Sequence, residues 1–163
     1  MAKDASRFVN ACPVFVSEDV QKTVDFYTEK LGFQAARHFD KPNSFATLYR
    51  DEVEFVIVQA KQGRTASNLQ QYGAGYDAYI DTATPEGVDP IYDSFKAKGV
   101  RIVSEPHITT YGSYEFVFED IDGRHIGVGR IVNKAVFFRD SDRDLEPSRS
   151  TSPPAPQTKQ PPA

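Results

Sequence analysis

Tryptophan is absent from the 163 residues, and cysteine and methionine occur once each. A lone cysteine, Cys12, excludes an intrachain disulfide and a cysteine-built zinc site, and leaves a small thiol to be packed. Charge of one sign is not concentrated. Nineteen Lys and Arg stand against 23 Asp and Glu, and no basic cluster runs through the apolar part of the chain, which argues against a nucleic-acid partner. No apolar run approaches the ~20 residues needed to cross a bilayer. The N-terminus lacks the apolar segment of a secretory signal. A cytoplasmic protein without membrane attachment is the expectation.

Apolar residues make up only 39% of the chain, with a mean hydropathy of -0.50. The low value has a local cause. From about Asp140 onward, the run SDRDLEPSRSTSPPAPQTKQPPA holds one Leu and no aromatic residue. Such a segment cannot bury enough apolar surface to offset its ordering entropy. Residues 140–163 are therefore expected to be a disordered tail, either a passive appendage or a Pro-rich docking segment. Residues 1–7 read as a short arm. The stretch 8–135 carries nearly all the Val, Ile, Leu, Phe and Tyr, and a domain of about 125 residues buries a core without staples.

Within it, strands alternate with two helical patterns. Residues 8–16 (FVNACPVFV) suit a strand, with Pro13 placing it at an edge or at a missing ladder bond. Asp19 is a helix cap, and Val20, Val24, Tyr27 and Leu31 recur on one helical face that Gly32 closes. Phe45–Arg50 and Val53–Gln59 are strands joined at Asp51-Glu52. Asp77–Asp81 is a strand, 82–87 a loop containing Pro85, and Val88–Lys98 a helix with Val88, Ile91, Tyr92 and Phe95 on one face. Gly99 closes that helix. Val100–Ser104, Tyr114–Glu119 and His125–Ile131 are strands, the last two joined by a hairpin at Asp122-Gly123. Gly32 and Gly99 lie 67 residues apart, as do Val24 and Ile91. The halves, about 8–60 and 75–132, share one plan: strand, helix, glycine stop, three strands.

The segment PVFVSEDVQKTVDFYTEKLGF resembles the opening of vicinal-oxygen-chelate (VOC) proteins, the superfamily of glyoxalases and bleomycin-resistance proteins. VDPIYDSFKAKGVRIVSEP and FVFEDIDGRHIGVG resemble the family's second half. The resemblance implies an α+β fold of two βαβββ modules whose mixed sheets curl into a cup. It also implies a homodimer and, in the enzymes, a divalent metal held on the cup floor by His, Gln or Glu. Carried over position by position, the implied ligand sites fall on Cys12, Val56, Asp77 or Tyr76, and Gly127. Valine and glycine have no donor atom, and two mixed ligands are too few for a catalytic site. No metal cofactor is expected in the family position, and chemistry that needs Lewis-acid polarisation is disfavoured.

Strand alternation names what remains on the cup face: Cys12, Phe45, Tyr49, Glu54, Asp77, Tyr79, Glu115 and His125. The stretch SEPHITTYG reads as a lid loop over the cup mouth that contributes His107 and Tyr111. His107 is the one catalytic candidate, a general acid-base with Glu105 or Glu115 as orienting partner. His38 is expected at the surface. Aromatic rings beside carboxylates suit a small neutral or cationic aromatic ligand. The leading expectation is a non-catalytic small-molecule binder. The alternatives are a metal-dependent lyase, isomerase or dioxygenase of the glyoxalase type, or a regulatory module whose tail docks a partner.

Overall fold

The computed structural model describes residues 10–37 and 44–138. The arm, His38 and the tail lie outside the described residues. Strand β1 (Val14–Ser17) starts only after Pro13, whose missing N–H ends the ladder there. Asp19 then caps α1 (Val20–Glu29), its carboxylate accepting from the Lys22 backbone N–H at 3.1 Å. Gly32, at φ +73°, turns the chain out of the helix. It leads into β2 (Gln34–Arg37), the third strand that the shared plan requires of the first half. Strands β3 (Phe45–Arg50) and β4 (Val53–Gln59) complete a sheet of order β1-β4-β3-β2, parallel only between β1 and β4.

The second module repeats this. Its strands are β5 (Ala78–Asp81), β6 (Arg101–Ile108), β7 (Ser113–Glu119) and β8 (His125–Ile131), in the order β5-β8-β7-β6. Helix α3 (Val88–Ala97) follows a single 3-10 turn at Pro85–Gly87. A short helix, α2 (Asn68–Tyr72), lies in the linker, closed at its N-terminus by a reciprocal Ser67–Gln70 capping box. Another, α4 (Lys134–Phe137), follows β8. The sequence pattern identified neither, because each is too short to show a helical period. Among the described residues, no helix is long and apolar enough to cross a membrane.

One expectation is corrected here. The stretch SEPHITTYG is not a loop: Ser104–Ile108 continue β6, pairing His107 with Glu115 and Ile108 with Tyr114 through two register shifts. Pro106 is tolerated because β6 is an edge strand among the described residues. Only 109–112 form the turn.

Each helix covers one face of its sheet. Phe15, Leu48, Phe55 and Ile57 point toward α1, and Phe116, Phe118, Ile126 and Val128 toward α3, in one cluster that spans both modules. The junction is fixed by the β7–β8 hairpin, which carries Asp120 and Arg124 onto the first module. The Arg124 guanidinium sits 4.6 Å from the Phe15 ring centre and 2.5 Å from Asp120. It also reaches the Val16 carbonyl at 2.6 Å and Asp122 at 2.9 Å. Tyr27 donates to Asp120 at 3.0 Å, and Thr23 to Asp122 at 2.6 Å. The opposite, helix-free face of each sheet is left for function.

Candidate functional site

Alternation along β7 sends Tyr114, Phe116 and Phe118 to the core and Ser113, Glu115 and Val117 to the helix-free face. Across from them on β8 stand two glycines. Gly129 pairs with Glu115 and Asp81, and Gly127 with Val117 and Tyr79. Without a Cβ at these positions, side chains lie directly on the backbone. A Cβ on Gly127 would come within 2.7 Å of the Tyr79 ring and 3.2 Å of the Tyr76 ring. One on Gly129 would overlap the Glu115 side chain and stand 2.5 Å from the Tyr79 hydroxyl.

The rings converge on one carboxylate. Glu115 Oε1 accepts from Tyr111 at 2.5 Å and Tyr76 at 2.9 Å; Oε2 accepts from Tyr79 at 2.8 Å. The Tyr79 hydroxyl also lies 2.8 Å from Ser113 Oγ. The Tyr76 and Tyr79 rings stack, 6.2 Å apart and 29° from parallel. Glu115 itself has no solvent exposure, whereas the three tyrosines keep 39–42%. The hydroxyls therefore point inward and parts of the rings outward.

Burial by itself raises the pKa of the Glu115 carboxyl, but the hydroxyls of Tyr111, Tyr79, Tyr76 and Ser113 outweigh it and hold the group below its ordinary value. Burial, with the adjacent carboxylate adding to it, raises the phenols of Tyr76, Tyr79 and Tyr111. The carboxylate stays charged and the phenols stay protonated.

The two glycines give a paired prediction. Gly129→Ala meets the Tyr114 carbonyl oxygen, a backbone atom, at 2.6 Å, and should cost roughly 1–3 kcal/mol. The atoms nearest a Cβ on Gly127 belong to rings, so Gly127→Ala should cost less and act by displacing Tyr79 from Glu115. Thermal unfolding of both variants tests the ranking; the reverse order would contradict it.

The other candidates are placed as follows. His107 faces Glu115 in register, but its Nδ1 lies 2.9 Å from the Glu105 backbone carbonyl. The Glu105 carboxylate is engaged by Lys96 and Tyr92, and that of Glu115 by tyrosines, so neither acid orients the imidazole. Asp77 is a tie between segments: its oxygens accept from the backbone N–H groups of Asn68 at 2.9 Å and His125 at 2.8 Å. His125 Nε2 lies 3.2 Å from Glu119, which Arg101 pairs at 2.7 Å. Cys12, Phe45, Tyr49 and Glu54 belong to the first sheet or its approach. There the Cys12 thiol donates to the Glu54 carbonyl at 3.2 Å, and Tyr49 pairs with Glu54. The structure thus joins Tyr79, Tyr111 and Glu115, and adds Tyr76 to them as a ring of the same cluster. Tyr76 is a linker residue, and strand alternation gives no signal for it. The G-V-G spacing of 127–129 was the available clue, since paired glycines on one strand face mark a close approach.

The family model of the Glyoxalase/Bleomycin resistance protein/Dioxygenase superfamily matches residues 11–128. The chain belongs to this superfamily. A bleomycin resistance protein of Geobacillus stearothermophilus is 30% identical over 99 residues, 56% of this chain and 73% of that protein. One from Staphylococcus aureus (strain N315) matches to the same extent. Among solved structures, a glyoxalase/bleomycin resistance protein/dioxygenase from Nocardioides superposes with a TM-score of 0.58 at 18% identity, covering 80% of this chain and 88% of that one. A virulence protein from Salmonella typhimurium gives 0.56 at 20% identity, covering 77% and 100%. At such identities the structures carry the fold alone.

The resemblance places the metal-ligand positions of the superfamily's enzymes on Cys12, Val56, Asp77 or Tyr76, and Gly127. Val56 offers no donor. Gly127 lies beneath the Tyr79 ring, both Asp77 oxygens hold backbone N–H groups, and burial raises the Cys12 thiol with Glu54 adding to it. These residues do not fit a metal. Among the described residues, no group of three or more His, Cys, Asp and Glu side chains is arranged to hold one.

Proposed function

We propose that this superfamily member is a small-molecule receptor that binds cationic aromatic compounds on the helix-free face of its second sheet, without a metal at the family position. The carrying observation is the Glu115 carboxylate enclosed by Tyr76, Tyr79 and Tyr111 above Gly127 and Gly129. A buried negative charge behind half-exposed electron-rich rings favours a cation over those rings, and the rings supply contact area. The 30% identity to bleomycin resistance proteins supports the same reading. A homodimer belongs to it: Val14, Val16 and Tyr49 stand 61%, 46% and 43% exposed on the helix-free face of the first sheet, an apolar surface that a second copy would cover.

The test combines metal analysis, mass in solution and calorimetry of the purified chain. Aromatic amines should bind about tenfold or more tighter than carboxylates of the same ring system. Equal or tighter binding of the carboxylates, or one tightly held metal per chain with turnover, would overturn the proposal. A monomer at working concentrations would remove the dimer from it.

A further inference from the structure

The two modules repeat one strand order, and their junctions are filled unequally. Ladder pairing of Phe15 with Ile57 and of Ile80 with Val128 makes Phe15 equivalent to Ile80, Val16 to Asp81, and Ser17 to Thr82. At the first of these places, the hairpin of the second module inserts Asp120 and Arg124 against Phe15, Val16 and Tyr27. At the second, the corresponding hairpin is the tight turn at Asp51-Glu52 between β3 and β4, with no residues to spare for a plug. A cavity of about 630 Å³ is left there.

We infer that this unplugged junction is a second binding site, for an uncharged aromatic or alicyclic molecule. Its volume lies within the roughly 300–1,000 Å³ range of ligand pockets. Its wall is made by Phe33, Val53, Ile80, Ile91, Phe95 and Val128, contributed by both modules. Two guanidiniums and three carboxylates stand at its rim, and two of each face one another. Arg50 is spent on the Leu31 carbonyl at 2.6 Å and on Asp51 at 3.7 Å, and Arg130 lies 4.0 Å from Asp81. The remaining acid, Glu52, is exposed at the hairpin tip. An anion meets that acid, finds Arg50 bonded to the Leu31 carbonyl, and finds Arg130 facing Asp81. A cation meets Glu52 only at the solvated hairpin tip and loses its hydration against an apolar wall that carries no carboxylate. A neutral ring system loses little on entry and covers the apolar wall. This site lies on the helix side of the sheets, away from the tyrosine cluster, and its existence does not depend on that cluster's role.

The probe is N-phenyl-1-naphthylamine, an uncharged amine at neutral pH whose fluorescence rises in apolar surroundings. Titrated into the full chain, it should saturate at one site per chain. The methyl resonances of Ile80, Ile91 and Val128 should shift, while those of Val14, Val16 and Val117 on the helix-free faces stay in place. Ala83→Trp, an exposed position lining the mouth, should weaken the probe by about tenfold or more. Ile91→Phe fills the cavity from the α3 side and should do the same. Absence of saturation overturns the inference, as do methyl shifts centred on Val14, Val16 and Val117, or unchanged affinity in both variants. The methyl shifts are read on the parent chain, so they decide the matter even where a variant fails to fold.

Discussion

An Arg124→Ala variant should lose about 3–5 kcal/mol of unfolding free energy, because it strands a buried carboxylate. The Asp120 side chain is fully buried, and 5% of the Arg124 side chain is exposed. The guanidinium also reaches Asp122 and the Val16 carbonyl and stacks on Phe15. Burial raises the Asp120 pKa, and Arg124 is the largest influence opposing that rise. A raised carboxyl favours the protonated fold. Its contribution is therefore full below the unfolded value of about 3.9 and fades as pH rises through the folded value. Removing Arg124 moves the folded value further up, so the deficit of the variant should be larger at pH 7 than at pH 5. Asp120→Asn combined with Arg124→Met removes both charges and keeps the oxygen that accepts from the Asp122 and Arg124 backbone N–H groups; it should recover much of the loss. Denaturant unfolding at the two pH values reads all of this. A loss below about 1 kcal/mol for Arg124→Ala at pH 7 would mean that the hairpin does not lock the modules together.

Local chemistry that repeats along the chain was legible in the sequence. The Asp19 cap, the Gly32 and Gly99 stops, and the spacing of Val20, Val24, Tyr27 and Leu31 fix α1 and the duplicated plan before any contact is known. Alternation in β7 placed Glu115 and Val117 on the face opposite Phe116 and Phe118. What alternation does not contain is reach. Tyr76 meets Glu115 across 39 residues, because the linker turns at Gly73 and Gly75 and returns a ring over Gly127. Gly127 and Gly129 show this as missing volume: what a glycine makes room for depends on the partner that arrives. The reading of 104–108 as a loop failed for a related reason. Pro106 interrupts a strand pattern in sequence, but the edge position that lets a strand hold proline is a property of the sheet.

Glu115→Gln should weaken binding of an aromatic amine by about tenfold or more, with a smaller effect on its neutral isostere. The amide keeps the side chain's shape but removes the charge behind the rings. It also replaces one acceptor oxygen with a donor facing hydroxyls that now donate to Glu115. Charge-assisted hydrogen bonds are worth about 1.5–3 kcal/mol each. The exposed parts of the three tyrosines let water replace some of that, so a stability loss of roughly 2–4 kcal/mol at pH 7 is expected. The pH dependence separates this effect from a packing defect. The folded Glu115 pKa is lowered: burial opposes that direction, and the hydroxyls of Tyr111, Tyr79, Tyr76 and Ser113 outweigh it. Its contribution is therefore present above the unfolded value of about 4.3 and lost as pH falls through the folded value. The gap between parent and Glu115→Gln should be constant at neutral pH and close in acid. Asp120, whose shift has the opposite sign, is common to both chains and cancels from the difference. Parallel pH curves, with the gap unchanged down to pH 3, would show that the tyrosines leave the Glu115 pKa at its unfolded value; a gap that widens in acid would show that they hold a neutral acid there, and the charge argument for a cationic ligand would go with either result.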